Sequence, residues 1–143
     1  MYRQKFSLIF SVLAGLGFAS LLHGQGKKTI RELGISSITV HEYFLGEGVD
    51  KPLVESVEHF NEVGDLTEIK EMNKRGEVTR WERYAYDDRG RLVEEVFLNE
   101  KGDTVRREKT IYRDDLRVEK EFYDNRGRLF KRKEYLYEYR SKQ

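Results

Sequence analysis

The sequence predicts an all-β fold, an open and twisted antiparallel meander of about eight strands made of tandem hairpins. A seven-residue pattern, in which Asn or Asp is followed three residues later by Gly, occurs five times in the 143-residue chain. Most segments between the turns, each turn counted from the Asn or Asp to the residue after the Gly, are seven to nine residues long, which suits single strands at about 3.3 Å per residue. Because each segment leaves one tight turn and enters another, consecutive strands should be antiparallel neighbours. A small closed barrel, which has no sheet edge, is the alternative.

Residues 1–24 have the parts of a secretory signal peptide, which we expect to be helical. A short basic start is followed by the apolar segment Phe6–Leu22 and then by polar residues. We expect cleavage after Gly24, which leaves Gln25 as the first residue, with cleavage after Ala19 as the alternative. The segment could also stay in place as a membrane anchor, but Phe6–Leu22 is short for a span and contains two glycines.

The next part of the chain leads into the predicted repeat domain, which spans residues 35–143. Residues 25–34 are a basic, polar lead-in without a clear period, and Gly34 should interrupt the chain there. Residues 35–44 are rich in β-branched and aromatic types and predict the first strand. Residues 46–52 form a longer loop that holds the only Pro, and residues 54–60 predict the second strand.

The five repeated patterns predict hairpin turns. An Asn or Asp side chain can accept a hydrogen bond from the backbone two residues on, while the later Gly supplies a positive φ. This is the chemistry of a type I turn closed by a G1 bulge. A degenerate turn at residues 113–115 fills the longest gap between patterns. The predicted turn glycines are Gly64, Gly76, Gly90, Gly102 and Gly127.

The turn chemistry also predicts a register. The residue that opens such a turn should lie opposite the residue after the Gly, so Tyr86 should face Leu92. Continuing outward, Trp81 should face Phe97, and Tyr84 should lie on the opposite face of the sheet from both. Trp81 and Phe97 are therefore one candidate partner surface, although a plain cross-strand aromatic pair is the simpler interpretation. Both faces mix apolar and charged residues, so neither is a clean core face.

A second candidate partner surface lies near the end of the chain. Tyr135, Tyr137 and Tyr139 alternate along the predicted last strand and should project from one face. A ladder of tyrosines can stack against a sugar or anchor a protein partner. The simpler interpretation is that the rings pack over Val118, Phe122 or charged side chains of the preceding strand.

Composition argues against several classes of protein. The chain has 27 basic and 26 acidic residues, and a neutral, finely mixed surface has no long-range field to attract nucleic acid. No Cys is present, so disulfides cannot stabilise the domain even after export. Its stability must come from strand pairing and apolar burial.

No catalytic constellation is present in the sequence. We find no Gly-rich phosphate loop, Ser nucleophile elbow or Cys nucleophile. His41 and His59 lie on neighbouring predicted strands. A zinc site requires at least three well-placed ligands, which two histidines do not provide. The sequence therefore predicts no metal, no cofactor and no enzyme activity. A hydrolase that uses scattered carboxylates is the least favoured alternative.

Two of the turns, residues 86–92 and 123–129, have the sequence Tyr-Asp-x-x-Gly-Arg-Leu. The chain there resembles the YD repeats of Rhs-type exported proteins, and three relaxed matches extend the resemblance over most of residues 60–139. The resemblance implies consecutive β-hairpins in a cell-surface or secreted setting. In the large members the repeats form a shell around a cargo domain, for which this chain is too short. It also looks like small exported repeat proteins of Bacteroidetes-type Gram-negative bacteria.

These observations predict a non-catalytic exported β-repeat protein. We expect it in the periplasm, at the cell surface or secreted, where it binds an envelope protein or a glycan, or self-associates through its edge strands. A small barrel that carries an apolar ligand is the alternative function. We expect no nucleic-acid partner, and membrane contact only through an uncleaved signal segment.

Overall fold

The computed structural model describes residues 26–45 and 51–140. Within these ranges a short helix precedes one antiparallel sheet of eight strands, whose spatial order is their order in the chain. The predicted meander is confirmed. The sheet is open, and the closed-barrel alternative is wrong. The elements are α1 (Lys27–Glu32), β1 (Ser37–Glu42), β2 (Leu53–Phe60), β3 (Leu66–Met72), β4 (Val78–Tyr86), β5 (Leu92–Leu98), β6 (Thr104–Arg113), β7 (Leu116–Tyr123) and β8 (Leu129–Glu134).

The predicted turn chemistry is confirmed in the β4–β5 hairpin. Asp87 Oδ1 accepts hydrogen bonds from the backbone N–H groups of Arg89 at 3.0 Å and Arg91 at 2.9 Å. The Gly90 N–H donates to the Asp87 carbonyl at 2.9 Å, and Gly90 has a φ of +73°. The other four Asx-to-Gly turns repeat this set of bonds. In the β6–β7 hairpin Asp114 takes the positive φ instead, at 52°.

Each of these hairpins contains a register shift beyond the pair next to the turn. Tyr86 faces Leu92 as predicted, but the next pair is Ala85 with Glu94, which leaves Val93 as an extra residue on β5. One extra residue in a strand changes which partner every later residue faces. The extra residues of the six hairpins are Thr67, Thr79, Val93, Val105, Val118 and Phe130.

The shift overturns the predicted pairing of Trp81 with Phe97. Phe97 faces Glu82 instead, and Tyr84 faces Glu95. Because neighbouring residues of a strand point to opposite faces, Trp81 and Phe97 lie on different faces of the sheet. Phe97 shares its face with Tyr84, which the sequence placed on the other side.

The buried side chains of the sheet lie on the face of Tyr84, which we call face one. The register aligns Ile69, Tyr84 and Phe122 on it, all at most 9% exposed. Charged residues are buried on the same face, with Glu95 9% and Glu108 8% exposed. Face one is therefore a mixed core, apolar in part and ionic in part. The opposite side, face two, carries Trp81.

Helix α1 lies where the sequence predicted a lead-in without an element. Its residue Lys27 places Nζ 2.5 Å from Asp65 Oδ1 in the first turn, and Ile30 is only 1% exposed. A Cβ at Gly64 would lie 2.5 Å from the Lys27 carbonyl oxygen, so the helix and the turn are in backbone contact. Six residues are too few for a helical period to be visible in the sequence. Gly34 interrupts the chain after the helix as predicted, with a φ of +63°.

Tyrosine hydroxyls bind the backbone at one end of the sheet. In each case the acceptor is the carbonyl of the residue just before an extra bulge residue, where the backbone ladder is disrupted. Each donor lies 20 residues after its acceptor. The bonds are Tyr86 Oη to Leu66 at 2.8 Å, Tyr112 Oη to Leu92 at 3.2 Å and Tyr137 Oη to Arg117 at 2.6 Å.

Candidate functional site

The most exposed part of the sheet is its last strand. All six residues of β8 are exposed, and they include two large apolar side chains, Leu129 at 49% and Phe130 at 59% exposure. Within the described residues β8 pairs with β7 alone, so its outer side is an open edge. At the other edge of the sheet, exposed and half-buried residues alternate along β1.

The backbone groups that β8 offers at this edge follow from its hydrogen bonds to β7. Tyr135, just after the strand, donates its N–H to the Val118 carbonyl at 3.0 Å. In an antiparallel pair, residues that bond to the neighbour alternate with residues whose N–H and C=O point away. Counting back in the unbroken register, Lys133 bonds inward. The N–H and C=O of Arg132 and Glu134 therefore point toward the open edge.

The side chains of β8 make this edge basic. Lys131 and Lys133 lie on face one, with Nζ 4.8 and 5.5 Å from the centre of the Phe122 ring. Within residues 26–45 and 51–140, neither lysine has a carboxylate in ion-pair distance. Arg132 lies on face two and pairs with Glu134 at 2.9 Å. The edge thus has two lysines whose charge no side chain in the described part of the chain neutralises.

An open apolar hollow of about 490 Å³ lies beside the start of β8. Two of its lining residues, Val105 and Phe130, are the extra residues of their hairpins and are 52% and 59% exposed. The Arg106 guanidinium lies over the Phe97 ring at 4.0 Å and borders the hollow on one side. The lining residues are Phe97, Leu98, Val105, Arg106, Asp124 and Phe130.

An ionic cluster supports the sheet next to this hollow. Lys120 Nζ lies 2.9 Å from Glu95 and 2.6 Å from Glu108, on three neighbouring strands. Burial alone would lower the pKa of Lys120, but the hydrogen bonds to Glu108 and Glu95 outweigh it and raise that pKa. The lysine therefore stays charged and holds two facing carboxylates together.

A second cluster lies on face one of β3 and β4. Arg80 bonds to Glu71 at 3.2 Å and to Glu82 at 2.9 Å, and the Tyr84 hydroxyl donates to Glu82. Burial and the bond to Glu82 raise the pKa of Tyr84 well above its usual range. Burial likewise raises the pKa of Tyr86 to about 12. Both phenols therefore stay protonated, and can donate hydrogen bonds, over the whole pH range in which the protein would work.

Trp81, predicted as part of a partner surface, is held in place on face two. Its Nε1 donates to Glu68 at 2.6 Å, and Lys70 Nζ lies 4.0 Å from the ring centre. A Cβ at Gly102 would lie 3.3 Å from the ring, so the indole also covers the β5–β6 turn. Phe97, the other member of the predicted pair, lines the hollow on face one.

The three C-terminal tyrosines do not form a ladder on a strand. β8 ends at Glu134, so Tyr135, Tyr137 and Tyr139 follow it. The Tyr137 hydroxyl donates to the backbone of β7, and the Arg117 guanidinium lies 5.5 Å from the Tyr135 ring. Tyr139 is 79% exposed. The first two rings thus pack along the preceding strand, which was the simpler of the two interpretations.

The two histidines lie at opposite ends of the β1–β2 pair. His59 faces Ser37 and His41 faces Val54. Among the described residues, no group of three or more His, Cys, Asp or Glu side chains is arranged to hold a metal ion. Nor does that part of the chain contain a helix long and apolar enough to cross a membrane. The predicted cleavage site at Gly24 and Gln25 lies outside the described residues.

Sequence reasoning missed the hollow and the basic edge. The adjacent apolar pair at 129–130 and the basic run at 131–133 were visible signals. They were not combined because Phe97, Leu98, Val105 and Arg106, which complete the hollow, lie on other strands more than 20 residues earlier in the chain.

Comparison with known proteins adds no family. No protein-family model matches the chain, and no curated protein matches it. The resemblance to YD repeats stays a prediction.

Proposed function

We propose that this protein is a non-catalytic, exported β-repeat module that binds another polypeptide by adding a strand of that partner to β8. The observation that carries the proposal is the open β8 edge, where all six residues are exposed. Unpaired N–H and C=O groups along an edge are a template for a further strand. Strand addition is a common way in which proteins recognise extended peptides.

The geometry of the edge favours a polypeptide over a glycan. Arg132 and Glu134 point their backbone groups outward, with the two-residue spacing that an antiparallel partner strand requires. The tyrosines expected to stack on a sugar are partly engaged, since the Tyr137 hydroxyl is bonded to the Arg117 carbonyl. A carried apolar ligand, the alternative function, would require a closed barrel, and the sheet is open.

Two matched substitutions at one position test the proposal. Glu134→Pro removes an outward N–H that β7 does not use, so the fold should persist, since Pro is accepted on edge strands where the N–H faces solvent. Glu134→Ala removes the same carboxylate but keeps the N–H. Tagged full-length protein with each change is expressed in a Gram-negative host, crosslinked and recovered from the envelope, with circular dichroism as the check on folding.

We expect a partner polypeptide to crosslink to the wild type and to Glu134→Ala but not to Glu134→Pro. In the complex, hydrogen exchange at the Arg132 amide should slow relative to the free protein. Equal capture by the Pro and Ala variants, or unchanged exchange at Arg132, would overturn strand addition at β8. Export is tested by the N-terminal residue of the recovered protein, which should be Gln25.

A further inference from the structure

We infer that the strand added at β8 is acidic and carries one large apolar side chain that covers the exposed ring of Phe130 at the rim of the hollow. This inference rests on the proposed strand addition and specifies the chemistry of the partner. It follows from the charge of the edge and from the position of the hollow.

The first step concerns charge on face one. Lys131 and Lys133 lie on the outermost strand, and their ammonium groups rest over Phe122 without a carboxylate partner among the described residues. The lysine of the neighbouring strand is different, because Lys120 is neutralised by Glu95 and Glu108. On face one, an incoming strand therefore meets unneutralised positive charge on β8, the strand that it would contact directly, and not on β7. Opposite charges in directly facing positions stabilise a strand pair.

The second step concerns self-association through the same edge. Two copies of β8 paired antiparallel would bring the run of residues 131–133, three basic side chains, against a second such run. Like charges in facing positions are unfavourable, and lysines on edge strands commonly prevent such pairing. The edge therefore selects against a second β8 and in favour of an acidic strand.

The third step concerns the apolar contact. The hollow opens next to Phe130, the extra residue at the start of β8, and Phe97 and Val105 line it further in. A strand on the outer side of β8 places its face-one side chains about one strand spacing, or 5 Å, from those of β8. An aromatic or leucine side chain can cross that distance and cover the exposed ring of Phe130. The acidic residues then follow toward Lys131 and Lys133, at alternate positions.

The experiment uses synthetic peptides of eight residues with alternating Thr. One has three Glu and a terminal Phe on the same face, a second has Lys in place of Glu, and a third has Ala in place of Phe. Binding to the full chain is measured by fluorescence anisotropy at low and high salt. Lys131→Glu/Lys133→Glu and Phe130→Ala are compared with the wild type, and Lys131→Gln/Lys133→Gln serves as a milder second charge variant if the double Glu change fails to fold.

We expect the acidic Phe peptide to bind at least about tenfold more tightly than the basic one, with affinity that falls as salt rises. The double Glu variant should reverse this preference, and the double Gln variant should reduce it. Replacing Phe in the peptide should weaken binding to the wild type severalfold but have little further effect on Phe130→Ala, as expected for two groups in contact. Glu134→Pro should bind none of the peptides.

Equal affinity for acidic and basic peptides, or additive effects of the two Phe replacements, would overturn the inference. Assembly of the protein with itself through β8, seen by analytical ultracentrifugation and lost in Glu134→Pro, would also overturn it. The proposed function has a separate outcome. If the acidic peptide does not bind but Glu134→Ala still captures a partner that Glu134→Pro loses, strand addition stands and the chemistry of the partner is different.

Discussion

Replacing Gly64 by Ala separates two effects that act together at this turn. Gly64 and Gly76 both hold a positive φ, at +85° and +77°, in turns of the same chemistry. An Ala in this conformation costs about 1–2 kcal/mol at either position. Only at Gly64 would the new Cβ also collide, because it would lie 2.5 Å from the Lys27 carbonyl oxygen. At Gly76 nothing lies within 4 Å.

The size of the collision sets the expected difference. An ordinary contact of a Cβ begins at 3.4 Å, so α1 must move away by roughly 1 Å, and overpacking of this kind costs about 1–3 kcal/mol. Glycine-to-alanine at position 64 should therefore lower the free energy of unfolding by about 2–5 kcal/mol. At position 76 the loss should be about 1–2 kcal/mol.

Urea unfolding followed by circular dichroism gives both free energies, and hydrogen exchange at Ile30 and Leu33 reports on α1. The amides of these residues donate to Gly26 and Thr29 at 3.1 and 3.0 Å. We expect faster exchange at both amides in Gly64→Ala and no change in Gly76→Ala. Equal losses of stability in the two variants, with exchange of α1 unchanged, would refute the packing of the helix against the first turn.

Three further changes test the polar contacts of the sheet. Tyr86→Phe removes the hydroxyl bond to the Leu66 carbonyl and should cost about 1–1.5 kcal/mol in urea unfolding, whereas Tyr139→Phe, at an exposed ring, should cost nothing measurable. The pKa of Asp87 is held below its usual range, chiefly by the backbone N–H of Arg91. Its carboxylate therefore stabilises the fold at neutral pH and stops doing so as the pH falls through that lowered pKa. Asp87→Asn keeps the acceptor oxygen and should flatten the acid limb of unfolding free energy against pH, and a limb as steep as in the wild type would contradict this. Lys120→Met leaves two facing carboxylates without their shared cation and should cost about 3 kcal/mol in urea unfolding, with a loss below about 1 kcal/mol as the contrary result.

The turns and the strand order could be predicted from sequence because their causes are local. An Asx side chain such as Asp87 binds backbone two and four residues away, and Gly90 needs its positive φ whatever surrounds it. Once five such reversals are placed, the segments between them have few ways to pair other than in chain order. The order of strands in the meander could therefore be predicted from the turns alone.

The faces of the side chains around the candidate site were not predicted, because a second bulge lies beyond the G1 bulge of each turn. The extra residue lies three positions after the Gly in all five Asx-to-Gly turns, and five of the six extra residues are Thr or Val, but the register was predicted from the G1 bulge alone. Yet each shifts the register by one and changes which residues face each other. That shift separates Trp81 from Phe97, and it pairs Phe122 with Lys131 and leaves Phe130 as an extra residue.

By itself, the sequence determined where the chain reverses and hence that eight strands pair in order. Tertiary structure alone decided which side chains share a face, that Lys27 docks a helix on the first turn, and that Lys131 and Lys133 lie at an open edge without an ion-pair partner among the described residues. The physical reason is the separation along the chain between the residues whose contacts decide each feature. Turn formation needs hydrogen bonds over two to four residues, whereas face, docking and edge depend on contacts between segments that are distant in the chain.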